Sequence, residues 1–192
     1  MDDVTKTDKM LSRKDGNVGY VIFNNPERHN AVKVLLFLDV GGSMDDFVKL
    51  SEELFSAARS EFKHLEYFYF HNFVYESVWK NNLRRTSERT STQDLLHKYG
   101  ADYKVIFIGD AAMAPYEITQ AGGSVEHWNE EAGYVWMQRF METYKKLIWI
   151  NPYPKDTWGY TASTNIVREL VEDRMYPLTL RGLEEGMRFL SK

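Results

Sequence analysis

Uninterrupted apolar runs are the most regular feature of the chain. Val32–Leu38, Tyr103–Ile108 and Leu147–Ile150 consist almost entirely of large apolar side chains. A run of this kind, without alternation of polar and apolar positions, predicts a strand that is buried on both faces of a sheet. Asp39 follows the first run directly, and Asp110 follows the second after a single glycine. Two predicted strands therefore each deliver an acidic residue at their carboxyl ends.

Helical periodicity separates these runs. Met44–Phe62 carries apolar residues at steps of three or four, with two aspartates in its first turn, where the helix dipole favours negative charge. The same reasoning predicts a short helix that Thr92 caps and Gly100 ends. It also predicts helices that span Glu126–Lys146, lie around Ile166–Val171 and run from Leu180 to Leu190, and further strands at Leu65–Phe70, Phe73–Trp79 and Met175–Leu178. Strands that alternate with helices predict an α/β fold, in which a doubly wound, mostly parallel sheet has helices on both faces.

Composition and charge exclude several classes of protein. Of the 192 residues, 43% are hydrophobic and 27% are charged, which is typical of a folded chain. The 24 basic residues are outnumbered by 28 acidic ones, so an electrostatic nucleic-acid binder is not expected. The absence of cysteine excludes disulfides, thiolate catalysis and cysteine-ligated metal sites. No apolar stretch approaches the roughly 18 residues of a membrane span, and we expect a cytoplasmic protein.

The turn after the first predicted strand has the chemistry of a cation site. Asp39 supplies a carboxylate and Ser43 a hydroxyl, while Gly41 and Gly42 allow the backbone to pass close to a bound group. Carboxylates, hydroxyls and water are the ligands that Mg²⁺ prefers, and Asp110 would enter from the neighbouring strand. The plainer alternative is that one aspartate begins a helix and the other ends a strand.

These residues resemble a known family. The segment D-V-G-G-S-M, from Asp39 to Met44, resembles the metal-ion-dependent adhesion site (MIDAS) of von Willebrand factor A (VWA) domains, whose usual motif is Asp-x-Ser-x-Ser followed by a separate Thr and a separate Asp. The stretches P-E-R-H-N-A-V-K-V-L-L-F-L-D-V-G-G-S-M, H-K-Y-G-A-D-Y-K-V-I-F-I-G-D-A-A-M and R-M-Y-P-L-T-L are similar to the CoxE-like VWA proteins. The resemblance implies a VWA domain over residues 31–192.

The resemblance also implies a ligand set and a function. It implies that Asp39, Ser43 and Asp110 form a site for Mg²⁺ or Mn²⁺. Thr92 would be the threonine ligand, and Thr90 is its alternative. Gly41 stands where the first motif serine is usual, so a water would replace one hydroxyl and the ion would be held more weakly. In the wider family an acidic residue of a protein partner completes the ion's coordination, and CoxE-like members are thought to act beside MoxR-type AAA+ ATPases in protein maturation or remodelling. The chain has no Walker lysine loop, so any ATPase activity would belong to the partner.

Residues 1–30 resemble a different protein family. The stretch D-G-N-V-G-Y-V-I-F-N-N-P-E-R-H-N-A-V is similar to the opening hairpin of enoyl-CoA hydratases (crotonases), although the later catalytic residues of that family have no counterparts here. We therefore expect an N-terminal extension or hairpin and a non-enzymatic interaction module. Two alternatives stay open: a degenerate VWA domain without metal, and a metal-dependent phosphatase of the haloacid-dehalogenase type, which would require an aspartate where this chain has Gly41.

Overall fold

A computed structural model describes residues 32–57 and 64–192, together with three short N-terminal strands, Lys6–Thr7 (β1), Met10–Asp15 (β2) and Val18–Phe23 (β3). These three strands pair antiparallel in the order β1-β2-β3. Most of the crotonase-like stretch after Phe23 lies outside the described residues, as does the end of the predicted helix Met44–Phe62. The division at residue 30 stays a prediction.

The rest of the described chain contains seven strands, six α-helices and three 3₁₀ helices, the last at Gly42–Met44, Asn82–Arg84 and Lys155–Tyr160. The strands are Lys33–Asp39 (β4), His64–Phe70 (β5), Ser77–Val78 (β6), Thr90–Ser91 (β7), Lys104–Ile108 (β8), Leu147–Asn151 (β9) and Met175–Pro177 (β10). The α-helices are Asp45–Ala57 (α1), Thr92–Lys98 (α2), Pro115–Thr119 (α3), Gly133–Thr143 (α4), Ala162–Leu170 (α5) and Leu180–Ser191 (α6). None of the described helices has the length and apolar character needed to cross a lipid bilayer.

The main sheet has five strands in the order β5-β4-β8-β9-β10, and every neighbouring pair is parallel. Side chains alternate between its two faces. One core cluster contains Leu35 and Phe37 and packs beneath α2, α3, α4 and α5. The other contains Leu36 and Leu38 and packs beneath α1 and α6. The predicted doubly wound, Rossmann-like α/β fold is thereby confirmed.

Two local predictions were wrong. The predicted helix Glu126–Lys146 begins only at Gly133, because Asn129 is hydrogen-bonded inside a loop: its Oδ1 accepts from the Ser124 N–H at 2.8 Å and its Nδ2 donates to the Glu131 carbonyl at 2.8 Å. The predicted strand Phe73–Trp79 is reduced to β6 and two isolated antiparallel bridges, one from Trp79 to Tyr69 of β5 and one from Phe73 to His71.

Two helix starts also differ from the sequence prediction. Ser91, not Thr92, is the N-cap of α2, since the Ser91 side chain accepts from the Asp94 N–H at 3.2 Å. The short helix α3 was not predicted from the sequence, and Pro115 occupies its first turn.

Candidate functional site

The order of strands places two acidic residues at the switch point of the sheet. From β4 the chain crosses through α1, beneath one face, to β5, whereas from β8 it crosses through α3 and α4, beneath the other face, to β9. Adjacent strands whose connections leave in opposite directions create a crevice at their carboxyl ends, where α/β proteins bind ligands. Asp39 is the last residue of β4, and Asp110 comes two residues after the end of β8.

Asp39 is a buried carboxylate with strong backbone donors. It is 1% exposed, and its Oδ1 atom accepts hydrogen bonds from the Gly41 N–H at 2.8 Å and the Asn72 N–H at 2.9 Å. Burial raises the pKa of Asp39 from 3.8 to about 7, with smaller increases from the negative charges of Asp110 and Glu117, and the two backbone donors oppose the rise. Near neutral pH, Asp39 is therefore present in both its protonated and its charged form.

Asp110 is buried as well, and one of its oxygens is unpartnered. It is 3% exposed, its Oδ1 accepts from the Ala112 N–H at 2.9 Å, and its Oδ2 is buried with no hydrogen-bond partner among the described residues. The loop is held firmly, because the hydroxyls of Ser163 and Thr164 donate to the Ala111 carbonyl at 2.7 and 3.1 Å. Burying a carboxylate oxygen without a hydrogen-bond partner costs free energy, unless a proton or a cation lies next to that oxygen.

Glu117 is a third buried acid that the sequence analysis did not select. It is 4% exposed and lies in α3, where its Oε1 accepts from the Ala114 N–H at 3.1 Å. Its Oε2 accepts from the side-chain amide of Asn72 at 2.8 Å. Through Asn72, Glu117 is joined to the Asp39 carboxylate. A glutamate two residues after Pro115 is a signal for a helix start, but not for the contact with Asn72.

The glycines at the switch point allow these groups to approach. A Cβ atom on Gly109 would lie 3.0 Å from the Asp39 Cβ and 3.1 Å from the Asp39 Oδ2. A Cβ atom on Gly41 would lie 2.4 Å from the Asn72 Oδ1 and 3.3 Å from the Asp39 Oδ1. Ser43 is exposed in the single 3₁₀ turn Gly42–Met44 that precedes α1. Asp39, Gly41, Ser43 and Asp110 thus belong to one edge of the sheet.

The two candidate threonines lie in different settings. Thr92 is fully buried at the start of α2, where its hydroxyl donates to the Tyr75 carbonyl at 2.5 Å and its N–H donates to the Glu76 carbonyl at 2.8 Å. Thr90 is half-buried in β7, opposite Val78. The Thr92 hydroxyl hydrogen is therefore committed to the backbone, while its oxygen keeps lone pairs that can accept. The assignment of Thr92 as a ligand stays a prediction.

The donors at this edge suit a hard cation better than a soft one. They are carboxylate, amide and hydroxyl oxygens, the set that Mg²⁺ and Mn²⁺ prefer. Across the described ranges, no group of three or more His, Asp or Glu side chains is arranged to hold a metal ion. Any cation site here would therefore combine one or two carboxylates with neutral oxygens and water, and the orphan Oδ2 of Asp110 and the buried Asp39 carboxylate fit that arrangement.

Comparison of the chain with models of protein families, with curated proteins and with solved structures finds no match. Function is therefore inferred from the site itself and from the sequence resemblance.

Proposed function

We propose that this chain is a non-enzymatic protein-interaction module of the VWA kind, which binds Mg²⁺ or Mn²⁺ at the carboxyl edge of its sheet. Asp39, Ser43, Thr92 and Asp110 would hold the ion, directly or through water, with Gly41 in the binding turn. The observation that carries the proposal is the pair of buried acids at the switch point, one with a pKa of about 7 and the other with an orphan oxygen. When bound, the cation supplies a positive charge that an external carboxylate can contact.

The electrostatics of the site favour a cation over an empty pocket. Asp39 and Asp110 are each at least 97% buried, and their charges repel one another and Glu117. Within the part of the chain that the structure describes, no lysine or arginine forms an ion pair with any of these three acids. Burying acids without a partner is expensive. A divalent ion would offset that cost, and the same ion would attract an acidic group of a partner.

The partner belongs to the proposal as well. An aspartate or glutamate of a second protein would complete the shell of the ion, so binding would require the cation. The resemblance to CoxE-like proteins favours a MoxR-type AAA+ ATPase as the partner and protein maturation or remodelling as the process. The residues of this chain would then bind and orient the partner, while any ATP hydrolysis would be carried out by the ATPase.

The phosphatase alternative is disfavoured by Gly41. That enzyme type requires a second aspartate two residues after Asp39, and this chain has no carboxylate at that position. The metal-free alternative draws support from Thr92, whose hydroxyl hydrogen is bonded to the Tyr75 carbonyl. In that alternative a proton on Asp39 would take the place of the cation.

Titration calorimetry with Mg²⁺ and Mn²⁺ at about pH 8 tests the proposal. We expect the parent chain to bind one ion and Asp39→Asn to lose that binding. Asp102→Asn is the matched control, because it removes the same charge from an exposed residue that precedes β8, at the opposite end of the strand from Asp110. Absence of binding by the parent, or equal binding by Asp39→Asn, would refute the metal site. Turnover of a phosphate ester by the parent that Asp39→Asn abolishes would favour the phosphatase.

Partner binding has a separate test. The purified chain and a candidate MoxR-type ATPase are mixed with Mg²⁺ or with chelator, and complex formation is measured by calorimetry. We expect the complex to require the cation and to be lost with Asp39→Asn. A complex that survives chelation would show that the cation is not the contact.

A further inference from the structure

The side chain of Asn72 occupies the space beside Gly41. Its Oδ1 atom lies 2.4 Å from the point where a Cβ of residue 41 would stand, and the Asp39 Oδ1 lies 3.3 Å from the same point. Two oxygens, one neutral and one from a carboxylate, therefore approach the same side of the turn. The backbone of Gly41 has φ −58 and ψ 150, a conformation that residues with a side chain readily adopt. Space, not backbone geometry, therefore favours glycine here, because a Cβ on residue 41 would have to displace the Asn72 side chain.

The orientation of the Asn72 amide is fixed from two sides. Its Nδ2 donates to the Glu117 Oε2 at 2.8 Å, so the nitrogen must face that carboxylate and Oδ1 must face the other way, towards Gly41. Its backbone N–H donates to the Asp39 Oδ1 at 2.9 Å. Asn72 has φ +57, in the left-handed region that asparagine tolerates better than most residues. Among the described residues, no N–H or O–H group donates to Asn72 Oδ1.

We propose that Asn72 Oδ1 is the neutral oxygen that completes the cation site, in the place where a hydroxyl on residue 41 would otherwise reach. This inference rests on the proposed function, which supplies the cation. A side-chain amide oxygen is a ligand that hard cations accept. Because it is neutral, it adds no repulsion to the three buried acids of the site. Glu117 acts as a positioning residue, since its carboxylate holds the amide nitrogen and thereby aims the oxygen.

This assignment accounts for the departure at Gly41. With glycine at position 41, the oxygen missing from the turn is supplied from the loop after β5. A serine at position 41 and the Asn72 side chain cannot both occupy the same space, so the two residues are alternatives. The plain competing reading is that the Asn72 amide only fills space and links two loops, with no role in binding an ion.

A matched pair of variants at one position separates these readings. Gly41→Ala and Gly41→Ser both add a Cβ that displaces the Asn72 oxygen, and only serine supplies an oxygen in return. We expect Gly41→Ala to weaken Mg²⁺ binding at least about tenfold, as loss of an oriented ligand does, and Gly41→Ser to recover most of that loss. Affinity is measured by calorimetry, and the rise in unfolding temperature on adding Mg²⁺ provides a second readout.

Asn72→Gly gives the same test from the other side. Glycine keeps the φ +57 backbone without strain and removes the amide. We expect Asn72→Gly to weaken Mg²⁺ binding by a similar factor, and Asn72→Gly combined with Gly41→Ser to restore it, because serine then finds the space empty. Asp102→Asn again serves as the control and should bind as the parent does.

The outcomes are distinct. If the parent binds Mg²⁺ and both Gly41→Ala and Asn72→Gly bind within about twofold of it, Asn72 is not part of the site, whereas the proposed metal site stands. If the parent binds no divalent cation, the proposed function and the role of Asn72 fall together. If one variant fails to fold, the other decides, since one changes the turn after β4 and the other the loop after β5.

Discussion

Replacing Asp39 by asparagine should stabilise the cation-free protein at alkaline pH. The Asp39 pKa lies at about 7 in the folded chain and at its ordinary value of 3.8 in the unfolded chain. Between these values the folded chain keeps a proton that the unfolded chain releases, so stability falls as pH rises from about 4 to about 7 and then levels off. At about 1.4 kcal/mol for each pH unit, the full effect is about 4 kcal/mol.

Asparagine retains the useful contacts of Asp39. Its Oδ1 can still accept from the Gly41 and Asn72 N–H groups, and its amide carries no charge to bury. At about pH 4, where Asp39 is protonated, we expect the two proteins to have similar free energies of unfolding. At about pH 8 the variant should be the more stable by about 3 to 4 kcal/mol, and the difference should appear mainly between pH 5 and pH 7.

Urea unfolding with chelator present, at pH steps from about 4 to 8, measures this difference. Subtracting the parent's free energy of unfolding from that of the variant cancels the titration of groups that both share. Asp102→Asn should instead differ from the parent by a nearly constant amount from about pH 5 to pH 8, because the Lys33 ammonium lowers the pKa of Asp102 below its ordinary value and its contribution to stability is lost only at more acidic pH. A difference between Asp39→Asn and parent that stays constant from pH 5 to pH 8 would refute the burial argument.

Substitutions at three further positions test the packing around the site by urea unfolding at neutral pH. Phe107→Ala should cost about 3 to 5 kcal/mol, because this fully buried ring is packed among other aromatic rings and its loss leaves a cavity; a cost below about 1 kcal/mol would contradict the packing. Thr92→Val should cost about 1 to 3 kcal/mol, because it leaves the buried Tyr75 carbonyl without its donor, whereas Thr92→Ser should cost less. Gly109→Ala should cost about 1 to 3 kcal/mol, since its Cβ would meet the Asp39 side chain at 3.0 Å; an unchanged unfolding midpoint would show that this approach is loose.

The strands of the main sheet could be predicted from their apolar pattern because both faces of this sheet are buried. In the middle of β4, Leu35 and Phe37 face one core cluster while Leu36 and Leu38 face the other, so no position there is left for a polar side chain. The same pattern misled at Phe73, which is buried against the Trp149 ring at a centroid distance of 6.1 Å, although it lies in a loop. A run of apolar residues indicates that a segment is buried. It forms a strand only where its backbone can pair with a neighbouring strand.

The site was predicted in part for a similar reason. Asp39 directly follows one predicted strand and Asp110 follows another after a single glycine, and topology alone brings the ends of neighbouring strands together. Asn72 and Glu117 follow no such rule, because their contact joins the loop after β5 to the short helix α3, and nothing local in either segment signals the other. The sequence places Asn72 between two predicted strands, and its positive φ is typical of a turn residue, but neither observation signals what its side chain contacts.

The buried acids link the stability of this chain to the ligand it would bind. A cation that neutralises Asp39 and Asp110 removes the same unfavourable burial that a proton removes, so proton and cation compete for the site. The affinity for Mg²⁺ should therefore fall as pH drops below about 7, and the stabilisation by Mg²⁺ should be largest at about pH 8, where Asp39 carries its charge. At a concentration one hundred times the dissociation constant, that stabilisation should reach about 2.7 kcal/mol. Equal stabilisation by Mg²⁺ at about pH 5 and pH 8, measured by urea unfolding, would show that the ion binds elsewhere.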